Sequence, residues 1–460
     1  MSDSPLKKAL RILFTFNLYE RLNLFETFPW LKQFFSHRRN LLLVRSAGDL
    51  VFAGIILSGL FGPQDPQRNV ALFLAWGIWW TSVVLSWFFV GKLWCGFCPF
   101  PGIGRILQKA GIGSPRPVPP WLRKHGPSLS LILLGAIIWA EAVTGMRSSP
   151  FATALLLLGI LMGATIFGAL YQGQSWCRFL CPMGKIIGSA ATISMIEFRP
   201  DAMRCRKCTT FACRKGKEGK LGCPVYLGAF NVRDSVDCLV CGRCVSTCDQ
   251  NSPRLNLRNP FSEMLLNRGK SLAYRYIIPF LMGSQLARFA QGKEWYEVLI
   301  LQSGVSPAAA FTLVLALGYA FFWLLIRAGS LLLPCNTRLG QVSTMAAVFI
   351  PIGFTGELMY RLEYFLQDAG SFLPTWGRQF GVDLNAWGFT VATSHIQFVC
   401  LAVLALGAIS SCTTAFLLNR AEFHGTLPMR RSFMLALMSA AVFAIYVFFF
   451  VATPAPHPFS

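Results

Sequence analysis

The sequence predicts a polytopic α-helical membrane protein with a small, cysteine-rich α+β module inserted between two groups of helices. Three observations predict it. Charged residues fill only 13% of 460 positions and hydrophobic ones 54%, whereas a soluble chain averages about 25% charged. Apolar runs long enough to cross a bilayer, about 20 residues as a helix, recur before and after the module. Eight of the 15 cysteines fall between positions 205 and 248.

The candidate spans, in order, are 43–61, 70–91, 127–146, 151–171, 306–327, 340–360, 391–418 and 432–452. A weaker ninth, 272–290, contains Arg275 and Arg288. Lys and Arg gather on the cytoplasmic side of membrane proteins. That rule puts the basic N-terminus inside, together with the 92–124 loop (Lys92, Arg105, Lys109, Arg116, Arg123, Lys124) and, two helices later, the cysteine-rich segment. If 272–290 spans, Arg327, Arg338, Arg420, Arg430 and Arg431 fall inside as well. The expectation is therefore about nine helices with the C-terminus outside. The domains follow: 1–40 a basic amphipathic segment, 41–196 a four-helix membrane domain, 197–260 the cysteine-rich domain, and 272–452 a C-terminal membrane domain of about five helices.

The net charge of +22, from 42 Lys and Arg against 20 acids, reads as membrane topology. No basic stretch interleaves with aromatics in a soluble segment, so membrane lipid and not nucleic acid is the expected partner. The first 40 residues carry Lys7, Lys8, Arg11, Arg21, Lys32, Arg38 and Arg39 and lack the apolar core and cleavage site of a signal peptide. They read either as a segment lying on the anionic membrane face or as a solvated basic tail.

An internal pseudo-repeat follows the first four helices. Helices one and two lead into Trp94-Cys95-Gly96-Phe97-Cys98-Pro99, and helices three and four into Trp176-Cys177-Arg178-Phe179-Leu180-Cys181-Pro182, with Gly102 and Gly184 following. Both copies sit just past a helix on the same membrane face, so Cys95, Cys98, Cys177 and Cys181 can meet there. Three readings stand open: a further metal or cluster, two redox-active dithiols of depressed pKa, or structural turns with small buried cysteines. Trp94 and Trp176 read as membrane-interface residues. Gly159 and Gly163 give helix four a small-xxx-small face for close packing.

The eight clustered cysteines read Cys205-x2-Cys208-x4-Cys213-x9-Cys223-Pro224 and Cys238-x2-Cys241-x2-Cys244-x3-Cys248. The second run has the spacing of a bacterial [4Fe–4S] ligand set, in which a tight loop supplies three soft thiolates and a distant cysteine the fourth. In two-cluster ferredoxins the fourth cysteine of each run serves the other cluster. One cluster then takes Cys205, Cys208, Cys213 and Cys248; the other takes Cys238, Cys241, Cys244 and Cys223. The x4 spacing and the RKGKEGKLG stretch enlarge one loop without changing the ligand count, and the second run ends Cys248-Asp249 without the usual proline. Structural zinc takes two separated Cys-x2-4-Cys pairs and fits the crowded second run poorly. From Glu197 to Pro260, 12 Lys and Arg stand against 6 acids, a charge of +6. Each cluster with its thiolates brings about −2. The surplus either compensates the clusters or leaves a mildly positive face for an acidic partner or the membrane surface.

The two Trp-Cys-x2/3-Cys-Pro motifs after paired helices, followed by the eight-cysteine module, resemble the NapH/NosR/CcoG-type membrane polyferredoxins over roughly residues 40–260. The resemblance implies a cytoplasmic-membrane electron carrier, often linked to quinol oxidation or to maturation of a respiratory enzyme. It carries over Cys95, Cys98, Cys177 and Cys181 as motif cysteines and the eight module cysteines as cluster ligands. The first motif is one residue shorter than the family's Cys-x3-Cys-Pro. The helices of 272–452 lie outside the pattern of the short members.

Ionisable groups within spans are costly and mark function. Arg45 with Asp49 and Glu357 with Arg361 are spaced i,i+4 and can pair. Glu141, Glu357 and His395 are candidate proton acceptors for a quinol; His395 otherwise reads as a core residue, and Cys335, Cys400 and Cys412 as packing residues. The functional expectation is a bacterial inner-membrane iron–sulfur protein relaying electrons between the quinone pool or a membrane partner and a redox partner protein. Its cofactors would be two [4Fe–4S] clusters, with a further metal or cluster at the Cys-Pro motifs and a quinone left open. The enzyme role left open is the electron-transfer subunit of a quinol dehydrogenase. The rival expectations are a metal- or thiol-reducing assembly factor for a respiratory enzyme and a redox-sensing membrane regulator.

Overall fold

The computed structural model describes residues 4–15, 17–113, 116–266, 274–291, 293–334, 338–423, 425 and 427–451. Cys335 and residues 272–273 of the ninth candidate span lie outside them. The long helices are α1 (Arg38–Phe61), α2 (Val70–Val90), α3 (Pro120–Val143), α4 (Pro150–Leu170), α5 (Tyr274–Gln291), α6 (Pro307–Ser330), α7 (Ile350–Asp368), α8 (Thr393–Ala421) and α9 (Met429–Val451). Among the described residues seven helices, all of these but α5 and α7, are long and apolar enough to cross a membrane. The segments Gln341–Val348 and Ile350–Phe380 meet at a 46° bend and make an eighth span if counted as one. The chain is a multi-pass membrane protein.

The chain divides into two compact units, the first of residues Met1–Gly54, Ser86–Leu134 and Leu156–Asn267, the second of Ile55–Leu85, Gly135–Leu155 and Arg268–Ser460.

In the first unit the cysteine-rich segment hangs on a three-stranded antiparallel sheet of order β1–β3–β2, with β1 Arg21–Asn23, β2 Ile196–Pro200 and β3 Pro253–Arg258. Strands β2 and β3 therefore bracket all eight cysteines and bring both ends of the segment together, Pro200 opposite Pro253. Strand β1 comes from the basic N-terminal segment, Leu22 opposite Leu257. Ile12, Leu22, Phe25 and Phe35 bury against Phe198, Val240 and Leu255. A basic tail becomes part of the sheet because its apolar residues have a core to enter, at about 25 cal/mol per Å² of apolar surface buried. Beneath the sheet, the fully buried Arg258 donates to Ser194 O (2.9 Å), to Ala191 O (2.8 Å) and to Glu197 (3.3 Å). Burial alone would raise the Glu197 carboxyl, but Arg199, Arg258 and Arg21 hold it below the usual carboxylate range.

In the second unit α5 is a central helix with 14 of its 18 residues buried. Arg275, Gln285 and Arg288 keep it from being apolar enough for a span, and Gln285 and Arg288 are buried among protein neighbours. It meets α6 at Gly283 and Gly318, where a Cβ on Gly283 would stand 2.5 Å from the Tyr319 nitrogen. Small residues permit that approach. On its other side α6 exposes Leu313, Leu317, Phe321 and Leu324 at helical spacing, a stripe that lipid satisfies and water would not.

Candidate metal centre

The loops of the module carry their cysteines around a space and not to a point. Cys223, Cys238, Cys241 and Cys244, the set assigned from the sequence to one cluster, together line one cavity with Phe198, Val240 and Gly242. Among the described residues no three His, Cys, Asp or Glu side chains converge to hold a single metal ion. A [4Fe–4S] cube bonds each thiolate to a different iron, so its ligands stand around a void, and this donor set suits it.

Backbone amides aim at the sulfurs. The Cys208 thiol is held below its ordinary value: slight burial raises it, but the N–H groups of Phe211 and Thr210 and the Thr210 hydroxyl lower it more. Phe211 takes φ +52° and Val240 φ +52°, left-handed turns that tip the chain around Cys208 and Cys238; Val240 N–H bonds Cys238. Burial pushes the Cys213 thiol up, against bonds from Ala229 and Phe230 N–H. Cys213 also lies within electrostatic reach of Cys248 and Cys208, and Ser252 touches both remaining members of that set, its Oγ 3.0 Å from Cys205 Sγ and its N–H 3.4 Å from Cys248 Sγ. Cys244 is within reach of Cys213 as well as of Cys241, Cys238 and Cys223, so the two sets are neighbours.

The second group of cysteines gathers against the first. Burial pushes Cys95 up to about 12, and raises Cys98, Cys177 and Cys181 as well; Cys95, Cys98 and Cys177 each feel Cys181. This is the reverse of the depressed pKa that a reactive dithiol needs. Cys98 accepts from Phe100 N–H, and Cys181 from Gly184 and Met183 N–H, as the module cysteines do. Lys92 Nζ reaches Val236 O at 2.7 Å. A Cβ on Gly188, after the second motif, would stand 2.6 Å from that same carbonyl, and one on Gly96, inside the first motif, 2.9 Å from Cys241 Cβ. Both Cys-Pro motifs therefore clasp the loop that begins the second cysteine run. Arg45 pairs with Asp49 as the spacing predicts, though at 4.0 Å, and also reaches Pro99 O. Gly163 does not serve close helix packing: the Trp176 ring fills the space beside it, while Gly159 has nothing within 4 Å.

In the second unit, the expected Glu357–Arg361 pair forms (3.0 Å) within a longer buried ladder. Glu357 also takes Arg288 (2.5 Å), Arg361 reaches Glu141 (3.6 Å), and Glu141 binds Arg147. The Tyr360 ring lies under Arg288, Arg147 and Arg361 at 4.3, 4.8 and 5.1 Å. Both candidate carboxylates are thus held by guanidinium groups. His395 is exposed in the first turn of α8 and is not a core residue. Cys400 is fully buried against Met359 O, and Cys412 half-buried against Ala436 O.

Comparison with known proteins bears on the Cys-Pro motifs. A family described as "4Fe-4S binding domain" matches residues 72–125 and 153–188, the segments that carry Cys95, Cys98, Cys177 and Cys181. The ferredoxin-type protein NapH of Haemophilus influenzae is 29% identical over 190 residues, 36% of this chain and 63% of NapH. Over this membrane segment the chain is similar to a 4Fe–4S binding domain and to NapH-type ferredoxin proteins. The NapH-type match extends to the putative electron transport protein YccM of Escherichia coli, 25% identical over 182 residues (34% of this chain, 48% of YccM). It includes the protein NirI of Paracoccus denitrificans, 24% identical over 184 residues (35% and 26%). The chain spans less than two thirds of each of these relatives. No solved structure matches it.

Sequence reasoning passed over Lys92, Gly96, Val236 and Ser252. Lys92 was read only as a topology charge. Its position three residues before Cys95 was the available signal, as was that of Ser252 four residues after Cys248; the partners of Gly96 and Val236 lie far along the chain.

Proposed function

We propose that the chain is a membrane iron–sulfur electron-transfer protein. It relays electrons between the quinone pool, or a membrane partner, and a redox partner protein. The observation that carries this reading is the cavity lined by Cys223, Cys238, Cys241 and Cys244, with the first Cys-Pro motif packed on Cys241. In this reading Cys205, Cys208, Cys213 and Cys248 hold one [4Fe–4S] cluster, the cavity set a second, and Cys95, Cys98, Cys177 and Cys181 a third. A bound cluster supplies one-electron transfer. The chain's own residues do the rest: thiolates hold the sites, amides bond the sulfurs, and apolar neighbours exclude water. Residues 197–260 form an α+β ferredoxin domain of bacterial type, and with α5 counted as a span the helices number nine. In this reading the module lies on the cytoplasmic side of a bacterial inner membrane, which the positive-inside pattern supports.

Iron and acid-labile sulfide on anaerobically purified full chain test this. About twelve irons per chain are expected, falling by about four on Cys177→Ala, at four irons per cluster. About eight irons, unchanged by Cys177→Ala, would leave the membrane cysteines as structure; zinc without iron would overturn the proposal.

Ser252 is a positioning residue for the Cys205 set. With Cys205 held as a thiolate, the serine hydroxyl can turn its single proton from Asp201 O (3.0 Å) to that sulfur (3.0 Å), and such bonds favour the more negative reduced state. Ser252→Ala keeps its N–H to Cys248 and loses only the hydroxyl. A redox titration followed by EPR is expected to show one cluster harder to reduce, with the others unmoved.

A further inference from the structure

We infer that the loop face around Cys208 is the docking surface for an acidic, one-electron-carrying protein; this rests on the function proposed above. Between Asp201 and Gly222 seven Lys and Arg stand against two acids. Arg204, Arg206, Lys207, Lys215 and Lys220 are exposed. So are four large apolar side chains among them: Met203 (65% exposed), Leu221 (43%), Tyr226 (41%) and Phe211 (40%). Apolar side chains inside a charged rim are the anatomy of a protein–protein contact.

The basic hairpin is held in place. Asp249 accepts from Thr210 (2.7 Å) and from Lys217 (3.1 Å), closing the 217–220 turn over the Cys208 loop. The Arg214 guanidinium packs on the Tyr226 ring at 5.4 Å. Cys208 itself is half-buried beneath the exposed residues 209–211, its sulfur 3.8 Å from the Thr210 hydroxyl. A cluster on the Cys205 set would bring about −2, which leaves the face positive. The positive rim selects a negative partner and speeds its arrival. A protein occupant, and not lipid, is favoured because the basic side chains flank Cys205 and Cys208 of that set in the chain, where a lipid layer would insulate it. On docking, the partner loses one electron and the chain gains one; no bond changes.

The test uses the full chain in zwitterionic nanodiscs with a reduced acidic flavodoxin as probe, following cluster reduction by stopped flow. The rate constant is expected to fall as salt rises. Arg206→Glu/Lys207→Glu/Lys215→Glu is expected to lower it about tenfold at low salt, within the range of electrostatic steering. A basic cytochrome c, assayed for oxidation of the reduced chain, should respond in the opposite sense. A rate indifferent to the charge reversal would overturn the proposal. So would wild-type binding to anionic vesicles that the triple variant loses while its flavodoxin rate stands. Iron content is measured on every sample: its loss in the wild-type chain would mean failure of the iron–sulfur reading, whereas full iron with an unchanged rate means failure of the docking face alone.

Discussion

Glu357→Gln is expected to be the most destabilising single change in the second unit. Glu357 is buried, and both its oxygens are committed, one set of bonds to Arg288 at 2.5 Å and another to Arg361 at 3.0 Å. Gln285 donates to it as well (3.3 Å). The glutamine keeps the volume and removes the charge, so two buried guanidinium groups lose their carboxylate. Breaking a buried ion pair from one side costs about 3–5 kcal/mol, or roughly two to three orders of magnitude in the folded-to-unfolded ratio. Thermal unfolding of the full chain in detergent checks this, and Glu141→Gln serves as comparison. Glu141 holds Arg147 closely but Arg361 only at 3.6 Å, so its loss should cost less. Equal and small effects would show that water or lipid headgroups reach the ladder.

Cys241→Ala is expected to remove one cluster and to loosen what surrounds it. Cys241 lines the cavity with Cys223, Cys238 and Cys244 and abuts Gly96 of the first Cys-Pro motif. Without it the cavity has three thiolates and an iron without a protein ligand. About four irons per chain should be lost at four per cluster, along with the corresponding EPR signal. Because metal binding is coupled to folding in such sites, the loops should become more open to protease. Cys400→Ala is the control: Cys400 is buried against Met359 O far along the chain, and iron should not change. Retention of all iron by Cys241→Ala would break the ligand assignment.

Much of the molecule is local and therefore legible. Spans read directly because lipid imposes a length and an apolar composition on one continuous stretch, and seven helices plus the bent pair fall where apolar runs do. The proposed ligands Cys238, Cys241 and Cys244 were legible from their two-residue spacings and Cys223 from the two-cluster rule, and all four line one cavity. Pairings at i,i+4 were also visible, Glu357 with Arg361 and Arg45 with Asp49.

Less legible was anything joining distant residues. Nothing around Arg21–Asn23 says that it will pair with residues 256–258, because strand pairing depends on what lies opposite. Helix α5 looked like a weak span; its polar residues make sense only once Glu357 and Tyr446 are seen beside Arg288 and Gln285. The spacing pairs Glu357 with Arg361, but the bond from Arg288 to Glu357 and the reach of Arg361 to Glu141 exist only once the helices pack.

By itself, then, the sequence determined the membrane class, the positions of the spans and which cysteines could act together, since hydropathy and short spacings are properties of neighbouring residues. Only the tertiary structure decided that the Cys-Pro motifs clasp the second cysteine run through Lys92 and Val236, and that Glu141 and Glu357 join one ladder through Arg361 and Arg288, because those contacts exist only when packing brings residues far apart in the chain within reach.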